Sequence, residues 1–276
     1  KERKTPFTPY KISNKIPREN CAGDTWSLIA ILVQLIQQNK SVQRGIIQKH
    51  YTQKRGMIMS KYPFNEAEEL KDVGVYPAVP GPYGMPSFPA RRFNTPITAK
   101  ENFQRIKEGK KPLWMLNMPT DFNVIQPEIM PDAYARNHGG IDWFGIEWQY
   151  EPLTAAGMVK PGTRRLSDIT KWEEELVWPD LNAIDWAADY EKNYAPVISK
   201  DRPTLFVIVN GFFERLADLT SFADTFCYLL EEEEAVHAFY DRLADFHIEL
   251  IKIAKKYYGA DVITFHDDMG TQISSF

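Results

Sequence analysis

"TLFVIVNG", residues 204–211, is an unbroken β-branched and aromatic run bounded by Pro203 and Gly211. Such a run reads as a strand buried on both faces. The residues after Gly211 determine how the strand is used. Two helices are expected, roughly over 220–230 and 232–257. In the second, Val236, Phe239, Leu243, Phe246, Leu250, Ile253 and Tyr257 recur three and four residues apart, with Asp241, Asp245, Glu249, Lys252 and Lys256 on the other side. One face therefore packs and the other is solvated. Gly259 stops this helix, and "DVITFHDD" (261–268) opens a further buried run. Strands buried on both faces and separated by helices form a parallel sheet with right-handed helical crossovers.

Upstream, "LWMLNM" (113–118) reads as an earlier buried strand, and 95–112 as a short helix. Thr98 and Glu101 have capping-box spacing, and Gly109 closes the helix. A further helix is expected from Asp185 to Tyr194, with turns at Gly139-Gly140 and at 160–163. Residues 78–96 carry five prolines and read as a loop-like arm. Residues 1–58 are rich in Lys, Gln and Asn without periodicity. They are either a flexible extension or translated upstream sequence, because "KRG" before "MIM" could be encoded by a purine-rich ribosome-binding site. The expected division is 1–58 as this extension, 59–96 as an amino-terminal arm and 97–276 as the folded body.

With 43% apolar and 25% charged residues the chain is an ordinary globular one. A formal net charge of −4 offers no general field for a phosphate backbone, so nucleic acid is not expected as a partner. The two cysteines, Cys21 and Cys227, form no CxxC pattern, which fits a reducing, cytoplasmic setting. "WSLIAILVQLI" (26–36) falls short of the ~20 residues that span a bilayer, so no membrane segment is expected.

In a parallel sheet, reactive groups collect where strands end. His266, Asp267 and Asp268 fall there, directly after the last buried run, and are the candidate catalytic residues. Neighbouring residues on an extended chain face opposite ways, so one of the two aspartates is expected to point inward and the other to hold the loop. Both could instead cap the next turn. Candidate substrate contacts are Asn117 and Asp121 after the first expected strand and Asn210 and Glu214 after the second. Trp143, Glu147 and Trp148 in "GGIDWFGIEWQYEP" (139–152) read either as an aromatic-lined pocket or as a packed core strand. His50, His138, His237 and His247 show no metal-ligand spacing, and no metal site is expected from them. GxGxxG, Walker and GxSxG motifs are absent.

Several segments together resemble the uroporphyrinogen decarboxylase superfamily: "TPITAKENFQRIKEGKKPLWML", "GIDWFGIEW", "MVKPGTRRLSDITKWEEELVWPDL", "NGFFERLADLTSF" and "VITFHDDMGTQISSF". Within it the chain looks like the corrinoid-dependent methyltransferase branch, which includes O-demethylases of methoxylated aromatics. The resemblance covers about residues 90–276 and implies an α/β fold, a (β/α)8 TIM barrel of which the N-terminal part is present. It also implies transfer of a methyl group from a small methoxylated or methylated donor to the corrinoid of a partner protein, with Gln272 among the strand-end substrate contacts. The zinc ligands of thiol-methylating relatives would lie beyond Phe276. The arginine-rich segment of the decarboxylase branch is missing, and "NMPTDFN" (117–123) stands in its region. Decarboxylation is the alternative activity, and a noncatalytic barrel that binds a partner protein is the alternative outside enzymes. A barrel cut after a few strands exposes an unpaired edge, so an isolated fragment is expected to associate.

Overall fold

The computed structural model describes residues 64–81, 87–153 and 156–268. The expected extension 1–58 and Gln272 lie outside them. Helix α1 (Glu66–Glu69) leads into a hairpin of β1 (Asp72–Tyr76) and β2 (Ala90–Phe93), followed by α2 (Ala99–Lys107) and α3 (Met118–Asp121). Next come β3 (Asn123–Ile125), α4 (Pro131–His138), and the antiparallel strands β4 (Gly140–Ile141), β5 (Glu147–Glu151) and β6 (Ala156–Val159). Short helices α5 (Trp172–Glu175) and α6 (Trp186–Asp189) precede β7 (Thr204–Ile208). The chain continues through α7 (Phe212–Leu219), α8 (Phe222–Glu231) and α9 (Glu233–Tyr258) to β8 (Val262–Phe265).

Strands β3, β7 and β8 form a parallel sheet in that order, with Ile125 opposite Phe206 and Ile208 opposite Phe265. The apolar run at 204–208 is buried at every position, as a strand covered on both faces requires. Phe206 and Ile208 face the main core, while Leu205, Val207 and Val209 join Phe122, Val124 and Val262 in a second cluster. The period-two alternation divides one strand between two cores. Helix α9 supplies most of the cover on the first face through Val236, Phe239, Leu243, Phe246, Leu250, Ala254 and Tyr258. The Tyr258 ring meets Phe206 edge-on at 5.4 Å, and its hydroxyl donates to Asp189 Oδ2 at 2.6 Å.

Four features differ from the sequence reading. First, the described residues form a mixed α/β fold whose parallel sheet has three strands, and no closed barrel is present among them. Second, 113–118 is not a strand. Its polar backbone groups are taken by side chains: Asn102 accepts from Leu113 N and donates to Trp114 O, and Asp121 accepts from Asn117 N. The first parallel strand is β3. Third, the arm is partly regular, since Asp72–Tyr76 pairs antiparallel with Ala90–Phe93. Pro77, Pro80, Pro89 and Pro96 all fall outside the paired residues, so no ladder donor is lost. Fourth, 262–265, expected as a strand buried on both faces, is half-buried and lies at the edge of the three described strands. As expected, Thr98 and Glu101 make the capping box of α2, and Asp185–Tyr194 is α6 continued by a wide π-type turn.

One buried cation ties the second sheet to this framework. Arg215 of α7, 1% exposed, pairs with Asp132 of α4 and, at 2.9 Å, with Asp142 beside β4. Its guanidinium lies 4.5 Å from the Phe144 ring centre. Asp142 also accepts from Phe144 N, Ile146 N and Trp148 Nε1, closing the turn between β4 and β5.

Candidate functional site

The parallel ladder continues one step beyond β7 and β8. His266 N donates to Ile208 O and Gly211 N donates to His266 O, each at 2.9 Å. This pins residues 210–214 against residues 266–268 at the carboxyl edge of the sheet. Helix α7 begins there with Gly211 at its cap position, which has no side chain to offer. Asp267 supplies the cap from the neighbouring strand. Its Oδ2 accepts from Phe212 N and Phe213 N at 2.7 and 3.1 Å, and its Oδ1 accepts from Glu214 N at 2.9 Å. An anion at the positive end of a helix, taking three otherwise orphaned donors, is a strong local lock. Glycine at 211 is required by space: a Cβ there would sit 2.5 Å from Asp267 Cβ and Cγ.

With Asp267 so engaged, the first turn of α7 delivers Glu214 to His266, whose Nδ1 lies 3.1 Å from Glu214 Oε2. Asp268 completes a group in which one ligand atom each from Glu214, His266 and Asp268 all lie within 4.8 Å of one another. Glu214 is buried, the His266 side chain is 42% exposed and Asp268 is exposed, so the group is anchored on one side and open on the other. Arg136 of α4 stands behind it, with Nη2 3.6 Å from Glu214 Oε2 and 3.8 Å from Asp218 Oδ2. Burial pushes Asp218 up to about 7, against the opposing pull of Arg215 and Arg136.

The predicted residues divide by location. His266, Asp267, Asp268, Asn210 and Glu214 share this edge. Asn210 is fully buried in the left-handed region at φ 59°, and among the described residues neither side-chain amide atom has a hydrogen-bond partner. Asn117 and Asp121 precede β3 and so lie at the opposite, amino edge, where they line a cavity of about 470 Å³ with Tyr76, Phe93 and Trp114. Trp143, Glu147 and Trp148 belong to the second sheet. Trp143 packs edge-on against Phe246 at 5.2 Å, Trp148 is buried on Asp142, and Glu147 pairs with Lys160 across the β5–β6 hairpin at 2.5 Å. Trp148 reaches the edge group indirectly, because Arg136 lies 4.8 Å from its ring centre.

No metal site was expected from the histidine spacings, yet a potential ligand set converges. Its members come from a helix start and a strand end, so no local spacing announces it. Arg136 and Asp218 were also missed. Asp218 stands four residues after Glu214 on α7, a visible helical spacing, whereas nothing in sequence links Arg136 of α4 to either.

His247, on the buried face of α9, is a packing residue. It meets Phe265 at 4.8 Å and Phe212 at 5.7 Å, and burial pushes its pKa down to about 3. Among the described residues no helix is long and apolar enough to cross a membrane. No family model, curated protein or solved structure matches the chain.

Proposed function

We propose that the chain belongs to a β/α-barrel methyltransferase of the uroporphyrinogen decarboxylase type, acting in the reducing cytoplasm. It would move a methyl group from a small methoxylated or methylated donor to a corrinoid carried on a partner protein. The observation that supports this reading is the meeting of Glu214, His266 and Asp268 at the carboxyl edge of a parallel sheet, where β/α enzymes keep their chemistry.

Breaking a methyl–oxygen bond leaves an oxygen that must be protonated or held by a positive charge. His266, whose Nδ1 is in contact with Glu214, is placed to pass a proton to that oxygen as the bond breaks. Asp268 is placed to accept a hydrogen bond from the donor and orient it. Asp267 acts on this group only by position, fixing α7 and with it Glu214. Carboxylate and imidazole are both ligands that zinc accepts, so Glu214, His266 and Asp268 could hold a divalent cation that would polarise the same oxygen. The corrinoid supplies a low-valent cobalt nucleophile that accepts the methyl group. The exposure of His266 and Asp268 suits the approach of such a carrier.

The test is methyl transfer from methoxyarenes to cob(I)alamin, followed by its absorbance, with the full-length protein and its Asp268→Asn variant. Transfer by the wild type and its loss in the folded variant are expected. A folded wild type that transfers nothing refutes the reading. Release of carbon dioxide from an aromatic acid in its place would favour the decarboxylase.

A further inference from the structure

We propose that Glu214, His266 and Asp268 form a three-ligand site, open to solvent on one side, that is selective for zinc over magnesium and calcium. One ligand atom from each residue lies within 4.8 Å of the other two. Zinc holds nitrogen and oxygen ligands at about 2.0–2.2 Å, which sets two tetrahedral ligands roughly 3.4 Å apart. His266 Nδ1 and Glu214 Oε2, at 3.1 Å, already stand near that separation. Asp268 has at most about 1.4 Å to close.

The ligand backbones are arranged before any ion binds. Asp267 Oδ1 accepts from both Glu214 N at 2.9 Å and Asp268 N at 3.1 Å, so a single oxygen positions two of the three ligands. His266 is held by its own N and O in the ladder to Ile208 and Gly211. Ligands fixed in this way lose little freedom when they close on an ion. The site is also reachable: the His266 side chain is half-exposed and Asp268 is exposed, while Glu214 anchors it from the interior. The open side leaves room for water as a further ligand, the arrangement of a catalytic zinc site and not of a closed structural one.

The facing cation is Arg136. Its Nη2 stands 3.6 Å from Glu214 Oε2, too far for a hydrogen bond, and also faces Asp218 Oδ2 at 3.8 Å. With Asp267 and Asp268 beside Glu214, Arg136 does not offset the acidic charge of the group. The mixed donor set then selects the ion. Magnesium and calcium take oxygen ligands, whereas an imidazole nitrogen favours zinc and its transition-metal neighbours. The role of such an ion in catalysis rests on the methyl-transfer reading of the same residues, but its binding does not.

Calorimetric titration of the full chain with zinc chloride tests the site, with magnesium chloride and calcium chloride as controls. The wild type is expected to bind zinc at least about tenfold more tightly than either control. His266→Ala and Asp268→Ala change side chains that reach solvent, so the fold is kept. Each should weaken zinc by about 100-fold, since even the loss of an outer-shell partner costs about 10–100-fold. His138→Ala and His237→Ala remove the exposed imidazoles that pair with Glu128 and Glu233, and should leave zinc affinity unchanged. No zinc binding by the wild type, magnesium or calcium bound as tightly as zinc, or zinc affinity undiminished in His266→Ala or Asp268→Ala overturns the proposal. The titration uses neither methyl donor nor corrinoid, so a zinc-bound chain that transfers no methyl group refutes the reaction and leaves the site standing.

Discussion

Asp267 and Asp268 are adjacent and chemically identical, yet they should respond oppositely to substitution. Asp267 accepts three backbone hydrogen bonds from the start of α7, at 2.7, 3.1 and 2.9 Å. A hydrogen bond to a charged group contributes about 1.5–3 kcal/mol, and the anion also offsets the positive end of the helix by about 0.3–1 kcal/mol. Water can reach part of this site once the side chain is gone, so the loss is smaller than the sum. Asp267→Ala is expected to cost ~3 kcal/mol. Asp267→Asn keeps one acceptor but sets an amide donor against the remaining N–H groups, and should cost ~1–2 kcal/mol by the same values. Asp268 is exposed, with its own N–H donating to Asp267 Oδ1 at 3.1 Å. Its side chain carries no comparable structural duty, so Asp268→Ala should stay within ~0.5 kcal/mol of wild type. Urea unfolding at constant m reads the difference. With m about 2 kcal/mol/M, Asp267→Ala lowers the midpoint by about 1.5 M, and Asp268→Ala leaves it nearly unmoved. Equal midpoints for the two alanine variants would refute the assignment of Asp267 as the α7 cap.

Phe239 is fully buried between Trp172, Trp178 and Tyr240, so Phe239→Ala should cost about 3–5 kcal/mol in the same unfolding assay. His247 has its pKa pushed from 6.5 down to about 3, which means the unfolded chain takes up its proton first as pH falls. His247 therefore withdraws stability from about pH 6.5 down to about 3, at about 1.36 kcal/mol per unit. Stability measured against pH should fall less steeply there for His247→Leu than for wild type, and parallel curves would contradict the buried neutral imidazole. Thr98→Ala removes the α2 capping box and should cost about 1 kcal/mol, read as a lower urea midpoint.

Elements whose signals are local were legible from the residues alone. The three-and-four repeat from Val236 to Leu250 gave the face of α9 that packs, because helix period and burial share one geometry; in the last turn Ala254 and Tyr258 are buried where the repeat named Ile253 and Tyr257. The Thr98–Glu101 spacing marked a helix start, and the unbroken run at 204–208 marked a central strand buried on both faces, whereas 262–265, read in the same way, lies at the edge of the three described strands and is only half-buried. The runs also placed His266, Asp267 and Asp268 at a strand end. The remainder was settled by packing in three dimensions. An apolar run at 113–118 became irregular because the side chains of Asn102 and Asp121 took its backbone groups, partners that pattern alone does not reveal. Which aspartate holds the loop depended on the approach of Gly211, 56 positions earlier, where the absence of a Cβ lets α7 come close enough to be capped from the next strand. The meeting of Glu214 with His266 is likewise a fact of three-dimensional proximity. Ion pairing depends on distance through space, and sequence separation carries no information about it once the chain has crossed the sheet.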